Sequence, residues 1–146
     1  MALAFRNINA TPADAVGHWG VEGLATAMER GDVSHWRRIA AELSRRPHGE
    51  FAREVEEAIE VTGSESVSEL FRSLLLDLRM SHAADDKAEV AARLHKFLEK
   101  SDLPRKDFAA ELGTSTSRLS TYLSGKVTPS ASIYIRAEKL AHDHQL

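Results

Sequence analysis

Six of the ten residues from Ser115 to Ser124 are Ser or Thr, and the one charged group among them is the guanidinium of Arg118. This is hydrogen-bonding chemistry. Ser and Thr can contact bases or phosphates, and Arg can make a bidentate contact to guanine. On a helix, Thr116, Ser117, Arg118, Ser120, Thr121 and Ser124 would share the exposed face. Arg105, Lys106, Ser115, Ser120, Ser124, Lys126 and Thr128 are candidates for holding phosphate.

Two short helices would have to present those groups. Pro104 suits the first turn of a helix, where its missing N–H has no intrahelical acceptor to lose. Phe108, Ala109 and Leu112 then share one side at helical spacing, leaving Arg105, Lys106 and Glu111 outward. Gly113 is the residue type that ends helices in the left-handed region, and Ser115 can cap a second helix. Leu119, Tyr122 and Leu123 would be its buried positions. The second helix starts about three residues after the first ends, a turn too short for an antiparallel hairpin, so a crossed pair is expected.

In this form, Leu103 to Ser130 resembles the helix-turn-helix of the lambda-repressor, Cro and XRE family. The matching features are Leu103, Ala109, Leu112-Gly113, Ser115, Leu119-Ser120, Gly125-Lys126 and Pro129-Ser130, in order and without a gap. The family's usual Gln at the third position of the first helix is Arg105 here, which favours a phosphate contact. Leu123 stands where an acidic residue is frequent. The resemblance covers roughly Asp85 to the C-terminus and not the first 80 residues. It implies a lambda-repressor-like four- or five-helix DNA-binding domain (81–146), and the helical patterns of residues 1–80 add an N-terminal helical bundle, so an all-α chain is expected. It also implies double-stranded DNA as partner, with the second helix in the major groove and Thr116, Ser117, Arg118 and Thr121 as its base-reading positions.

Length and composition bound the alternatives. At 146 residues with 42% hydrophobic content, the chain fits one domain or two small ones. Cysteine is absent, which removes disulfides, thiol catalysis and thiolate metal sites. No leader pattern and no run of apolar residues long enough for a membrane span is visible, so a cytoplasmic protein is expected, which the resemblance makes nucleoid-associated. The net charge of −3 is unevenly placed: residues 1–80 hold 9 basic and 13 acidic groups, the remainder 10 and 9. The acidity thus sits away from the candidate interface. A module so weakly positive gains little from phosphate attraction alone, which points to a homodimer.

The N-terminal part carries helical patterns without a motif. Val21, Leu24, Ala25 and Met28 form one stripe, ended by Gly31. Asp32 or Ser34 can cap a second helix with Trp36, Ile39 and Leu43 inward, and Phe51, Val55 and Ile59 mark a third. Ser66 with Glu69 makes a capping box before the stripe Val67, Leu70, Phe71, Leu74, Leu75 and Leu78, the fourth helix of a compact bundle. That stripe forms either the bundle core or a two-fold interface. From Met80 to Asp86 the apolar pattern lapses, which reads as a linker or a kink in a connecting helix. Val90, Leu94, Phe97 and Leu98 open the second part, and Ile133, Ala137 and Leu140 face inward from its last helix.

Other clusters have plainer readings. Trp19 and Trp36 read as packing anchors, and Glu54, Glu56, Glu57 and Glu60 as a solvated helix face. His142 and His144 could make an HxH metal pair, but no third ligand is near and a frayed end is expected. Arg37, Arg38, Arg45 and Arg46 form a second basic cluster, read first as solvated surface. Neither a cofactor nor a metal is expected. Three functional classes follow: a DNA-binding repressor, an antitoxin-type autoregulator whose N-terminal helices mask a toxin, and a helical protein-interaction module. An enzyme is not expected, because no nucleotide loop, metal-ligand cluster or nucleophile with a placed base is present.

Overall fold

Helices account for all regular structure among the described residues, which are 3–5 and 8–144 of the computed structural model. After a 3-10 turn at Val16–His18 come α1 (Gly20–Arg30), α2 (Val33–Arg45), α3 (Glu50–Val61), α4 (Glu65–Ser101), α5 (Arg105–Leu112), α6 (Thr116–Leu123) and α7 (Ala131–His144). None of the described helices is long and apolar enough to cross a membrane. The chain forms two compact units, Met1–His82 and Ala83–Leu146.

In the first unit, α1 stops where Gly31 N–H bonds the Ala27 carbonyl. A Cβ on Gly31 would lie 2.4 Å from that oxygen, so the glycine is required by close approach. Asp32 then caps α2: its carboxylate accepts from Ser34 N–H at 2.9 Å, and its own N–H donates to His35 Nδ1 at 3.1 Å. His35 Nδ1 also lies 3.1 Å from the Asp32 carboxylate. The hydrogen bonds from Ser34 hold the Asp32 carboxyl below its usual range.

The core of this unit joins Leu24, Met28, Ile39, Leu43, Val55, Ile59 and Phe71. Each large apolar side chain buried there contributes about 1.5–3 kcal/mol. Val67, Phe71 and Leu75 are buried, whereas Leu70 of the same predicted stripe is 53% exposed. Trp19 is buried, its indole N–H donating to Asp14 O at 3.2 Å, and Trp36 donates to Ala27 O at 2.9 Å. Arg38 corrects its reading as solvated surface: its guanidinium donates to Pro12 O (2.6 Å) and Asp14 O (2.7 Å) and lies 4.7 Å from the Trp19 ring centre. It ties the N-terminal segment to α2.

Two further expectations are corrected. Helix α4 starts at Glu65, so Ser66 lies within its first turn instead of capping it. Of the two readings of residues 80–86, the linker is overturned and the connecting helix holds: they are helical throughout, and α4 runs for 37 residues. Ala83 to Glu89 are all exposed. A helix solvated on every side needs no apolar stripe, and Ala83, Ala84 and Ala88 have high intrinsic helix propensity.

In the second unit, the later turns of α4 pack Leu94 against Phe108, Leu112, Leu119, Tyr122, Leu123 and Ala137. Ser101 closes α4 by donating to Leu98 O at 2.7 Å and accepting from Leu103 N–H at 3.3 Å. His95 Nε2 lies 3.0 Å from the Leu123 carbonyl, which holds the C-terminal end of α6 on α4. Phe97 meets Tyr134 of α7 edge-on at 5.4 Å.

Candidate nucleic-acid interface

The turn between α5 and α6 is built by hydrogen bonds as much as by packing. Pro104 lies just outside α5 as its N-cap residue, one position earlier than a first-turn proline, and Phe108 N–H bonds its carbonyl at 2.9 Å. At the other end Gly113 takes the left-handed conformation, φ 80°. Its N–H donates to Ala110 O and that of Thr114 to Ala109 O, both at 3.0 Å, the paired pattern that closes a helix around a glycine. Arg136 of α7 adds a bond from Nη1 to Leu112 O at 3.0 Å. Nothing in the sequence pattern singles out Arg136, whose role exists only once α7 lies beside the end of α5.

Ser115 caps α6, its Oγ accepting from Arg118 N–H at 3.1 Å. Only three residues separate the two helices. Phe108, Ala109 and Leu112 of α5 and Leu119, Tyr122 and Leu123 of α6 are buried. Those buried positions turn the rest of α6 outward, and Thr116, Ser117, Arg118, Ser120 and Ser124 are exposed.

Thr121 departs from that exposed set. It is half-buried, and its hydroxyl donates to Arg118 O at 2.6 Å. The following loop folds back on it, with Lys126 N–H and Val127 N–H bonding Thr121 O at 3.1 and 3.2 Å. The Thr121 hydroxyl proton is therefore directed at the backbone, and the oxygen is left as an acceptor. Ser124 is similarly engaged, donating to Thr121 O at 3.1 Å.

The other sequence candidates are distributed around this helix. Ser115, Arg118 and Thr128 line a common groove of about 630 Å³ with Thr114, Tyr122 and Ile133. Arg105 and Lys106 are exposed at the start of α5, and Lys126 is exposed in the loop after α6. Gly125, at φ 77°, lets that loop turn beside Lys87 O and Ala91 of α4. Ser130 Oγ accepts from Ile133 N–H at 3.2 Å at the start of α7. Arg105, Lys106, Arg118 and Lys126 form no ion pair with a described residue, so their charge is available to an anion.

No grouping of three or more His, Asp or Glu side chains suited to a metal occurs among the described residues. His142 is exposed, and the side chain of His144 lies outside the described residues. In the first unit, the carboxylates of α3 are not uniformly solvated: Glu60 pairs with Arg72 at 3.3 Å and Glu56 with Arg79. Oε2 of Glu54 is buried without a hydrogen-bond partner. Burial, followed by the charges of Glu50 and Glu57, raises the Glu54 pKa.

The chain matches no family model, and no curated protein or solved structure matches it.

Proposed function

We propose that the chain is a sequence-specific double-stranded DNA-binding regulator of the lambda-repressor-like class, most simply a repressor. The carrying observation is the outward face of α6, with exposed Thr116, Ser117, Arg118 and Ser120 on the second of two helices joined by a glycine turn. In this reading α6 enters the major groove, and Arg118 makes the most discriminating base contact. Ser117 lies on the outward side to meet neighbouring base edges, and Thr116 flanks it. Thr121 contributes as an acceptor, because its proton is held by Arg118 O. Arg105, Lys106, Ser115, Ser120, Ser124, Lys126 and Thr128 hold the phosphates on either side. Two copies bind together, with the first unit providing the pairing surface, because one weakly positive module has modest affinity.

Two substitutions separate these roles. Arg118→Ala loses discrimination at particular base pairs, about 1–3 kcal/mol for a lost bidentate contact. Lys126→Ala weakens binding to all sequences alike and lowers the salt slope by about one unit. Titrations of both variants against matched and mismatched duplexes at several salt concentrations measure this. Equal losses on all sequences for Arg118→Ala would make it a phosphate contact, and an unchanged salt slope would remove Lys126 from the interface.

A further inference from the structure

Between α2 and α4 of the first unit runs an apolar groove of about 390 Å³. Val33, Trp36 and Ala40 line it from α2, and Leu70, Phe71 and Leu74 from α4. Val33 and Leu70 are each 53% exposed, so its edges hold large apolar groups in water. The charges beside it distinguish it from the opposite flank of α4. Toward α3, Arg72 and Arg79 are matched by Glu60 and Glu56. Toward α2, exposed Arg37 lines the groove from one side. Asp77, also exposed, follows Leu70 and Leu74 at spacings of seven and three, on the same edge of α4. Neither Arg37 nor Asp77 forms an ion pair with a described residue.

We infer that this groove is where two copies of the chain pair, about a two-fold axis running along it. Such an axis sets the α2 edge of each copy against the α4 edge of the other. Arg37 then meets the partner's Asp77 twice, while Val33 and Leu70 of each copy close the other's groove. A basic group on one edge and an acidic group on the other make a pair complementary to its own two-fold copy, the condition for an isologous contact. Pairing through this groove is reversible on dilution. The inference rests on the paired state invoked above and is tested without DNA, so its failure leaves the reading of α6 standing. Conversely, failure to bind DNA leaves the dimer intact.

Sedimentation equilibrium of the full chain measures it. Wild type shows a reversible monomer–dimer equilibrium, and Leu70→Glu weakens it by about tenfold or more, because a charge enters the apolar contact. Arg37→Glu makes both edges acidic and Asp77→Arg makes both basic. Each variant alone is weakened by about tenfold, and an equimolar mixture recovers a heterodimer. Both positions are exposed, so these variants keep the test open if Leu70→Glu does not fold. A wild type that stays monomeric at millimolar concentration overturns the inference. So does a folded Leu70→Glu that dimerises like wild type, or a charge-variant mixture that gives no heterodimer.

Discussion

Ser115 has two roles in this account, a cap for α6 and a phosphate contact, and two substitutions at this position pull them apart. Ser115→Ala removes the oxygen that accepts from Arg118 N–H at 3.1 Å. The loss of such a cap costs about 1 kcal/mol, within a range of about 0.5–2. For a chain of this length that corresponds to a fall in Tm of roughly 2–4 °C. Ser115→Asp keeps an acceptor in the same place and puts a carboxylate at the helix N-terminus, which is favourable by about 0.3–1 kcal/mol. Its melting temperature should equal or exceed that of wild type. On DNA the order reverses for the aspartate. A carboxylate about 4 Å from a phosphate repels it by about 1 kcal/mol even in water, roughly a fivefold loss of affinity that shrinks with added salt. Thermal melts and duplex titrations of the three proteins read both effects. An unchanged melt for Ser115→Ala would refute the cap energetics. A Ser115→Asp protein with wild-type stability and wild-type affinity would place Ser115 outside the interface.

Further predictions concern the first unit. Glu54→Met removes the buried, unpartnered carboxylate oxygen and should stabilise the chain by up to about 1 kcal/mol at neutral pH, the low end for an unsatisfied group because the residue is only half-buried. Since the folded pKa is raised, the native state holds the proton more tightly than the unfolded state. The penalty is therefore absent below the unfolded pKa and develops as pH rises through the folded one. Melts across that range should show the gain disappearing in acid; a gain that persists there would mean that charge burial is not its source. Arg38→Ala gives up two bonds to backbone carbonyls and the contact with Trp19. We expect a loss of about 2–3 kcal/mol, read by denaturant unfolding, and a loss below about 0.5 kcal/mol would show that the N-terminal segment docks without it.

The local pattern of the α5–α6 region was readable because its determinants are close in sequence. The spacing of Phe108, Ala109 and Leu112 and of Leu119, Tyr122 and Leu123 picks out residues that are buried in the structure. Gly113 and Ser115 mark helix ends through their own backbone and side-chain chemistry. Features made by distant partners were not readable. Arg38 gains its role from Pro12 and Asp14, Arg136 from Leu112, and the buried oxygen of Glu54 from its surroundings. Residues 80–86 misled because an apolar stripe reports a buried helix, whereas this stretch of α4 is exposed. Thr121 has the same helical spacing as an exposed reader, but the loop from Ser124 to Val127 folds back onto it. Sequence spacing does not contain that loop.

The most direct test of the central claim is selection of bound sequences from random duplex DNA by the full chain, repeated with Arg118→Ala. The account predicts enrichment of two half-sites related by a dyad, about 34 Å or one helical turn apart. A guanine position within each half-site should lose its preference in the variant. Recovery of unenriched DNA by both proteins, or of one identical motif by both, would contradict it.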